Sequence, residues 1–165
     1  MKEAIMINVK KIFIIFLIFI FFPQHLWAYD ATIKTIRDIA AIYQTPERVG
    51  WWISHNIYYR SDYDKWKKPD YWQTSEETLK IDPVYGERTG DCEDMAILAQ
   101  DVLHLLHYTD AFVLVVYQRK TKKHHAVCVF YYRNQYCYLD NGTFKTTGTR
   151  NLLMVKKIIE ESYKK

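Results

Sequence analysis

Apolar residues recur at helical spacing near the front of the chain and predict two helices there. A second helix opens where Thr45 can cap it and Pro46 takes its first position, and it is predicted to run to about Tyr58. Residues 60–73 mix charges and aromatic rings without a period, which indicates a surface loop. Residues 74–77 have the spacing of a capping box and predict one short turn. The first helix rests on the positions Ile33, Ile36, Ile39, Ala40 and Tyr43.

A longer apolar face begins after a break at residues 86–90. Its spacing predicts a helix of about four turns from Asp91 to near His107, and this helix is expected to be the central core element. The positions on the face are Cys92, Met95, Ala96, Ala99, Leu103 and Leu106.

The last third of the chain carries three β-rich runs, at residues 111–118, 125–132 and 136–140, joined by a short basic loop and a tight turn. They predict an antiparallel sheet. A final helix at about 151–163 is expected to turn Leu152, Val155, Ile158 and Ile159 inward. Helices followed by a meander predict an α+β fold, in which a central cysteine-bearing helix packs on a small antiparallel sheet with flanking helices.

Residues 1–28 resemble a secretory signal peptide. Lysines precede an apolar run from Ile12 to Phe22, and Pro23 and the small residue Ala28 follow it. Because a spanning helix needs about 20 apolar residues, we expect cleavage after Ala28, with an uncleaved anchor as the alternative. Residues 29–165 then form one domain, periplasmic or secreted, in contact with the membrane only through signal-peptide targeting.

Charge and composition narrow the function classes. Removal of residues 1–28 leaves 20 basic and 18 acidic side chains, and this near balance argues against a nucleic-acid partner. We expect a monomer.

Cys92 is placed where a reactive thiol is expected. The first turn of a helix offers unpaired N–H groups and the positive end of the helix dipole, both of which favour a thiolate. A small buried hydrophobe is the equally good alternative on position alone.

A base and an orienting group for such a thiol follow downstream. His125 begins the second strand and Asp140 ends the third, so an antiparallel pairing brings them to one end and one face of the sheet. The two residues lie directly opposite each other in the register where the numbers of paired residues sum to 265. They are diagonal neighbours in the register where these numbers sum to 267, which is the register that the tightest turn prefers. His124 is a second candidate base, but as the residue next to His125 on the strand it is expected to point to the opposite face of the sheet. Cys92, His125 and Asp140 therefore form a candidate nucleophile, base and orienter.

The stretches GDCEDMA (90–96), HAVCVF (125–130) and YLDN (138–141), with YWQTSEETLKID (71–82) upstream, resemble the bacterial transglutaminase-like cysteine proteinases. The similarity runs over residues 30–160. It implies a papain-like α+β fold with Cys92 as nucleophile, His125 as base and Asp140 as orienter. It also implies a calcium-dependent periplasmic protease that acts on a protein substrate such as a cell-surface adhesin.

Three acids flank Cys92, and the sequence leaves their role open. Asp91 and Asp94 can cap the helix. Asp91, Glu93 and Asp94 can also supply the hard oxygen ligands of calcium, which is the role that the resemblance implies for acids beside the cysteine. The third alternative is that these acids attract a cationic segment of the substrate. The oxyanion hole takes the Cys92 amide as first donor, and the candidates for the second are Trp72, Gln73 or another side chain of the preceding loop.

Three function classes remain. The leading one is an exported cysteine peptidase, and one alternative is an acyl transferase or amidase with the same triad. The other is a catalytically inactive periplasmic binding module whose aromatic loop residues make the contact, among them Trp51, Trp52, Trp66 and Trp72. Cys128 and Cys137 are expected to stay free rather than form a strained cross-strand disulfide.

Overall fold

The first elements are two short helices whose ends match the capping residues in the sequence. The computed structural model describes residues 32–118 and 121–164, and the compact unit that holds the helices and the sheet begins at Lys34. Helix α1 (Ile36–Ile42) and helix α2 (Pro46–Asn56) begin after Thr35 and Thr45, whose side chains accept from the Asp38 and Arg48 amides. Helix α2 buries Val49, Trp52 and Ile53. The expectation that Trp52 lies on a contact surface was therefore wrong, because its side chain is part of the core. Helix α2 ends two residues earlier than expected, because residues 58–59 become a strand.

That strand, β1 (Tyr58–Tyr59), pairs in parallel with β2 (Thr89–Gly90) and so fixes the residues just before the cysteine. Between them lie helix α3 (Asp62–Trp66) and helix α4 (Ser75–Leu79). The expectation of a plain loop over residues 60–73 was wrong in part, since α3 occupies its first half. The expected capping box at 74–77 is confirmed.

Helix α5 (Cys92–Leu105) is the central element. It contacts α1, α2 and α4, and it also contacts three strands of the main sheet described next. Leu98, Val102 and Leu103 are fully buried along it. The prediction of a core helix that begins at the cysteine is confirmed.

The main sheet is an antiparallel meander of four strands in chain order. They are β3 (Phe112–Gln118), β4 (Lys123–Tyr132), β5 (Gln135–Asp140) and β6 (Thr143–Thr146). Cys128 pairs with Leu139 and Tyr132 with Gln135, so β4 and β5 have the register in which positions sum to 267. Of the two expected registers, this is the one that the tight turn prefers.

The fourth strand was missed from the sequence although a turn signal precedes it. Asn141 and Gly142 both have positive φ, at 46° and 81°, as a two-residue hairpin turn requires. The turn lies directly against α2. A Cβ on Gly50 would lie 2.3 Å from the Gly142 carbonyl oxygen, so a helix backbone and a turn backbone touch here.

Helix α6 (Leu152–Ser162) covers one face of the sheet, where Val155 and Ile159 join a buried cluster with Val127, Val129 and Tyr138. Residues of a strand alternate between faces, so Ala126, Cys128 and Phe130 belong to the opposite face, on which α5 packs. The expectation for Leu152 was wrong: it lies in the first turn of α6 and is 47% exposed.

The α+β layout is confirmed, with the cysteine helix packed on an antiparallel sheet. The proposed signal peptide, residues 1–28, lies outside the described residues. Within the described part of the chain, no helix is long and apolar enough to cross a membrane.

Candidate active site

Cys92 is the first residue of α5, and two neighbours hold its sulfur. The thiol donates to Glu93 Oε2 over 3.0 Å, and the backbone amide of Ala126 donates to the sulfur. Burial raises the pKa of Cys92 to about 12, and the hydrogen bond to Glu93 acts in the same direction, whereas the Ala126 amide opposes both. In this arrangement the thiol form is favoured.

His125 and Asp140 are joined directly. His125 Nε2 lies 2.7 Å from Asp140 Oδ1, and both side chains are about nine-tenths buried. The 267 register makes them diagonal neighbours on the α6 face of the sheet, within reach of each other because an imidazole is long enough to cover the diagonal. With Nε2 engaged, Nδ1 is the ring nitrogen that remains for another partner.

Asp140 has two further donors that the sequence did not reveal. Lys145 Nζ and the Tyr163 hydroxyl donate to Asp140 Oδ2 over 2.6 and 2.7 Å. Burial alone would raise the pKa of Asp140, but the hydrogen bonds from His125, Lys145 and Tyr163 outweigh it and hold that pKa well below its usual range. Asp140 is therefore an ionised and oriented carboxylate.

The sulfur lies beside the strand that carries His125, since its amide donor, Ala126, is the next residue. Within the described residues the thiol is hydrogen-bonded to Glu93 and the Ala126 amide and not to the His125 ring. The structure thus brings His125 and Asp140 into contact, and it places the Cys92 sulfur against the backbone amide of Ala126, the residue after His125, with the thiol donating to Glu93.

The acids near Cys92 form a larger cluster than the motif contains. Ligand atoms of Asp62, Asp91 and Asp94 lie within 4.8 Å of one another, as do those of Asp62, Asp70 and Glu93. Asp62, Asp91 and Asp94 are all buried. At an effective dielectric constant of 20, two carboxylate charges at that separation repel by about 3.5 kcal/mol. Burial, followed by the charges of Glu93 and Asp94, raises the pKa of Asp91 to about 8.

Asp94 is the best-satisfied member of the cluster. Its Oδ1 accepts from the Gln73 backbone N–H over 2.8 Å, and its Oδ2 accepts from the Gln73 side-chain amide and, over 3.1 Å, from the Asp91 N–H. The last bond is the helix-capping contact expected from the sequence. By contrast, Asp91 Oδ1 is buried and has no hydrogen-bond partner.

The two candidate second oxyanion donors are both engaged elsewhere. The Gln73 side-chain amide donates to Asp94, and Trp72 Nε1 donates to Asp70 Oδ1 over 3.0 Å. The Cys92 amide, at the start of α5, is the donor that position favours.

His124, Cys128 and Cys137 lie apart from this constellation. His124 contacts the Tyr117 ring at 5.5 Å between centroids, on the face opposite to His125 as its parity predicts. Cys128 and Cys137 are buried free thiols, so the expectation that they stay unpaired is met.

The donor set of the acidic cluster fits calcium. Calcium prefers several oxygen ligands, carboxylates among them, at flexible geometry. Several buried carboxylates, one with an orphaned oxygen, are the environment that a divalent cation would neutralise. The acids predicted from the sequence, Asp91, Glu93 and Asp94, are in the cluster, and Asp62 and Asp70 were missed.

Comparison with known proteins gives a family and distant structural similarity. The family model for the transglutaminase-like domain matches residues 33–160. No curated protein is significantly similar in sequence. The calcium-bound structure of LapG from Legionella pneumophila is 22% identical with a TM-score of 0.49, and the match covers 64% of this chain and 57% of LapG.

Two further structures of the same Legionella protein give similar values. One is 20% identical with a TM-score of 0.48 and coverage of 72% and 63%, and the EGTA-treated form is 21% identical with a TM-score of 0.46 and coverage of 61% and 54%. The chain thus spans less than two thirds of LapG. Because the family model covers most of the chain, from the first helix to α6, the protein belongs to the transglutaminase-like domain family.

Proposed function

We propose that this protein is an exported cysteine peptidase in which Cys92, His125 and Asp140 act as nucleophile, base and orienter. The observation that carries the proposal is the 2.7 Å contact between His125 Nε2 and Asp140 Oδ1, beside the strand residue whose amide holds the Cys92 sulfur. A thiol at a helix start, an imidazole and a fixed carboxylate are the parts that thiol-based acyl transfer needs.

Each group has a defined part in the reaction. The Cys92 thiol leaves Glu93, gives its proton to His125 Nδ1, and the sulfur attacks the peptide carbonyl carbon. The Cys92 amide stabilises the oxyanion, and the imidazolium passes its proton to the departing amine, which leaves a thioester. His125 then takes a proton from water, whose oxygen attacks the thioester, and the thiol is regenerated. Asp140 keeps Nε2 protonated and stabilises the imidazolium throughout.

The acidic cluster is part of the proposal as a calcium site held by Asp91, Glu93 and Asp94. Calcium, when bound, supplies positive charge next to a thiol that now lies in a field of carboxylates. Glu93 has two roles in this proposal. It is a ligand of the cation, and its Oε2 is also the acceptor that holds the thiol away from His125 in this structure. The family resemblance and the chemistry of the donors support this assignment.

The proposed substrate is a protein of the bacterial surface or periplasm, such as an adhesin. Exposed aromatic side chains offer a contact surface for an extended segment: Trp51 and Trp72 are each 48% exposed, and Tyr59 is 59% exposed on the strand that pairs with Gly90. Aromatic rings are enriched where proteins bind proteins. The protein acts as a monomer in the periplasm or outside the cell.

The test is cleavage of surface proteins from the host cell, followed by mass spectrometry of new N-termini in calcium-containing buffer. Wild-type protein is expected to generate a discrete new terminus that Cys92→Ala does not. The same cleavage by Cys92→Ala would refute the mechanism. Reaction in ¹⁸O-labelled water, with and without an added primary amine, separates hydrolysis from acyl transfer, because only hydrolysis places ¹⁸O in the product carboxylate.

A non-catalytic binding module is the second candidate, and one observation favours it. The thiol bonds to Glu93, and its pKa of about 12 describes an unreactive group. This candidate predicts that a thiol probe modifies Cys92 no faster than a small exposed thiol when calcium is present. The peptidase predicts faster modification.

A further inference from the structure

Asp62 is a buried acid that no motif around the cysteine contains. It is the first residue of α3, 4% exposed, and 29 positions before Asp91 in the chain. We propose that Asp62 is a direct ligand of the calcium site and ties the segment from α3 to Tyr71 to the start of the cysteine helix. This inference rests on the proposed calcium site and adds a ligand to it.

The position of Asp62 within the cluster is the first argument. Three groups of ligand atoms within 4.8 Å of one another occur in the described part of the chain, and Asp62 belongs to two of them, one with Asp91 and Asp94 and the other with Asp70 and Glu93. The third group joins Asp91, Cys92 and Glu93. A cation bound by Asp91 and Asp94, or one bound by Asp70 and Glu93, would therefore have the Asp62 carboxylate in reach.

An independent observation favours a cation at this cluster. Asp91 is 7% exposed, and its Oδ1 is buried with no hydrogen-bond partner. A buried carboxylate oxygen without a donor is costly unless a positive charge faces it. The nearby ammonium of Lys65 donates to Gln73 Oε1 over 2.7 Å and to the Thr89 carbonyl over 2.9 Å, so its hydrogen bonds go to neutral oxygens.

The hydrogen bonds of the cluster then rank its members as ligands. Both oxygens of Asp94 accept from protein donors, as expected of a carboxylate that holds the start of a helix. Asp62 accepts at Oδ2 from the Tyr71 N–H, and within the described residues no donor reaches its Oδ1. Asp62 thus has an oxygen without a protein donor, whereas Asp94 would bind the cation with the lone pairs that its protein donors leave.

A ligand at Asp62 would have a structural consequence next to the nucleophile. The Asp62 carboxylate holds the backbone of Tyr71, two residues before Gln73, which in turn binds Asp94. A cation shared by Asp62 and Asp91 would therefore fix the start of the segment 62–73, whose end is already held by the contact of Gln73 with Asp94. Residues 62–73 are expected to be protected from proteolysis when calcium is added.

The experiment is a calcium titration of wild-type protein and of three single variants by isothermal calorimetry. Asp62→Asn removes one charge but keeps an acceptor for the Tyr71 amide. Asp64→Asn is the matched control, because Asp64 lies on the same short helix and its carboxylate accepts only from the Ser61 hydroxyl among the described residues. Asp91→Asn is the positive control for loss of a ligand.

Asp62→Asn is expected to weaken calcium binding at least about tenfold, as loss of a ligand or its close support does, while Asp64→Asn changes it less than about twofold. Equal binding by Asp62→Asn and Asp64→Asn would overturn the inference. Terbium luminescence, sensitised by the tryptophans of this segment, gives a second reading at low protein concentration. Circular dichroism shows that each variant is folded.

The outcomes keep the two proposals apart. Unchanged binding in Asp62→Asn, with cleavage still dependent on Cys92, refutes the role of Asp62 and leaves the peptidase. Absence of calcium binding by folded wild-type protein refutes both the inference and the calcium site, whereas the Cys92→Ala comparison decides the peptidase by itself.

Discussion

Tyr163→Phe tests whether Asp140 is held as an ionised acceptor at the candidate site. The substitution deletes the hydroxyl that donates to Asp140 Oδ2 over 2.7 Å and keeps the ring that meets His125 edge-on at 5.4 Å between centroids. A hydrogen bond to a charged group contributes about 1.5–3 kcal/mol. Lys145 still binds the same oxygen, so we expect a loss near the lower end, about 1.5 kcal/mol, or about 5 °C in Tm.

The loss should depend on pH with a defined sign. The pKa of Asp140 in the folded protein lies below its unfolded value, so its contribution to stability is present above the unfolded pKa and is lost as the pH falls through the folded pKa. The difference between wild type and Tyr163→Phe should therefore be full at neutral pH and shrink below about pH 4.

The assay is urea unfolding of both proteins from pH 7 down to the lowest pH at which the fold survives. Tyr131→Phe is the control, since the Tyr131 hydroxyl donates to the neutral Asn134 side chain and its loss should not vary with pH. A Tyr163→Phe difference below about 0.5 kcal/mol, or one that stays constant with pH, would refute the reasoning.

Three further predictions concern packing and burial. Gly50→Ala should lower the free energy of unfolding in urea by about 2 kcal/mol, because the new Cβ would lie 2.3 Å from a backbone carbonyl oxygen. Gly148→Ala, which has open space around it, should lower it by about 1 kcal/mol, because the backbone there is left-handed. Gln73→Leu should lower the free energy of unfolding by about 2–3 kcal/mol, because the buried Asp94 loses a donor. A smaller loss than that caused by the same substitution at an exposed glutamine would contradict the role of Gln73 as that donor. Ellman's reagent should modify no more than one cysteine, Cys92, in the native protein and three in urea.

The sequence was sufficient for the parts of the site that follow local periodicity. The helical face that starts at Cys92 and the parity of His125 and Asp140 both follow from regular spacing, and the tight turn at residues 133–134 favoured the observed register. Local rules work here because each element buries one face, and the side-chain period then decides which residues share it.

The rest of the site could not be read in the same way. Asp62 lies in a stretch with no apolar period, and its place beside Asp91 depends on the parallel pairing of two very short strands. Lys145 and Tyr163 reach Asp140 only after the last hairpin and α6 are in place. The Asn141-Gly142 turn was a usable signal for that hairpin, whereas nothing local to Tyr163 indicates its partner.

The most direct test of the central claim is the rate at which iodoacetamide alkylates Cys92 in His125→Ala, compared with wild type and His124→Ala, in calcium-containing buffer at neutral pH. If His125 is the base, its removal should slow alkylation at least about tenfold. Removal of His124, which faces Tyr117 on the other side of the sheet, should change the rate less than about twofold. Equal rates in His125→Ala and wild type would contradict the account.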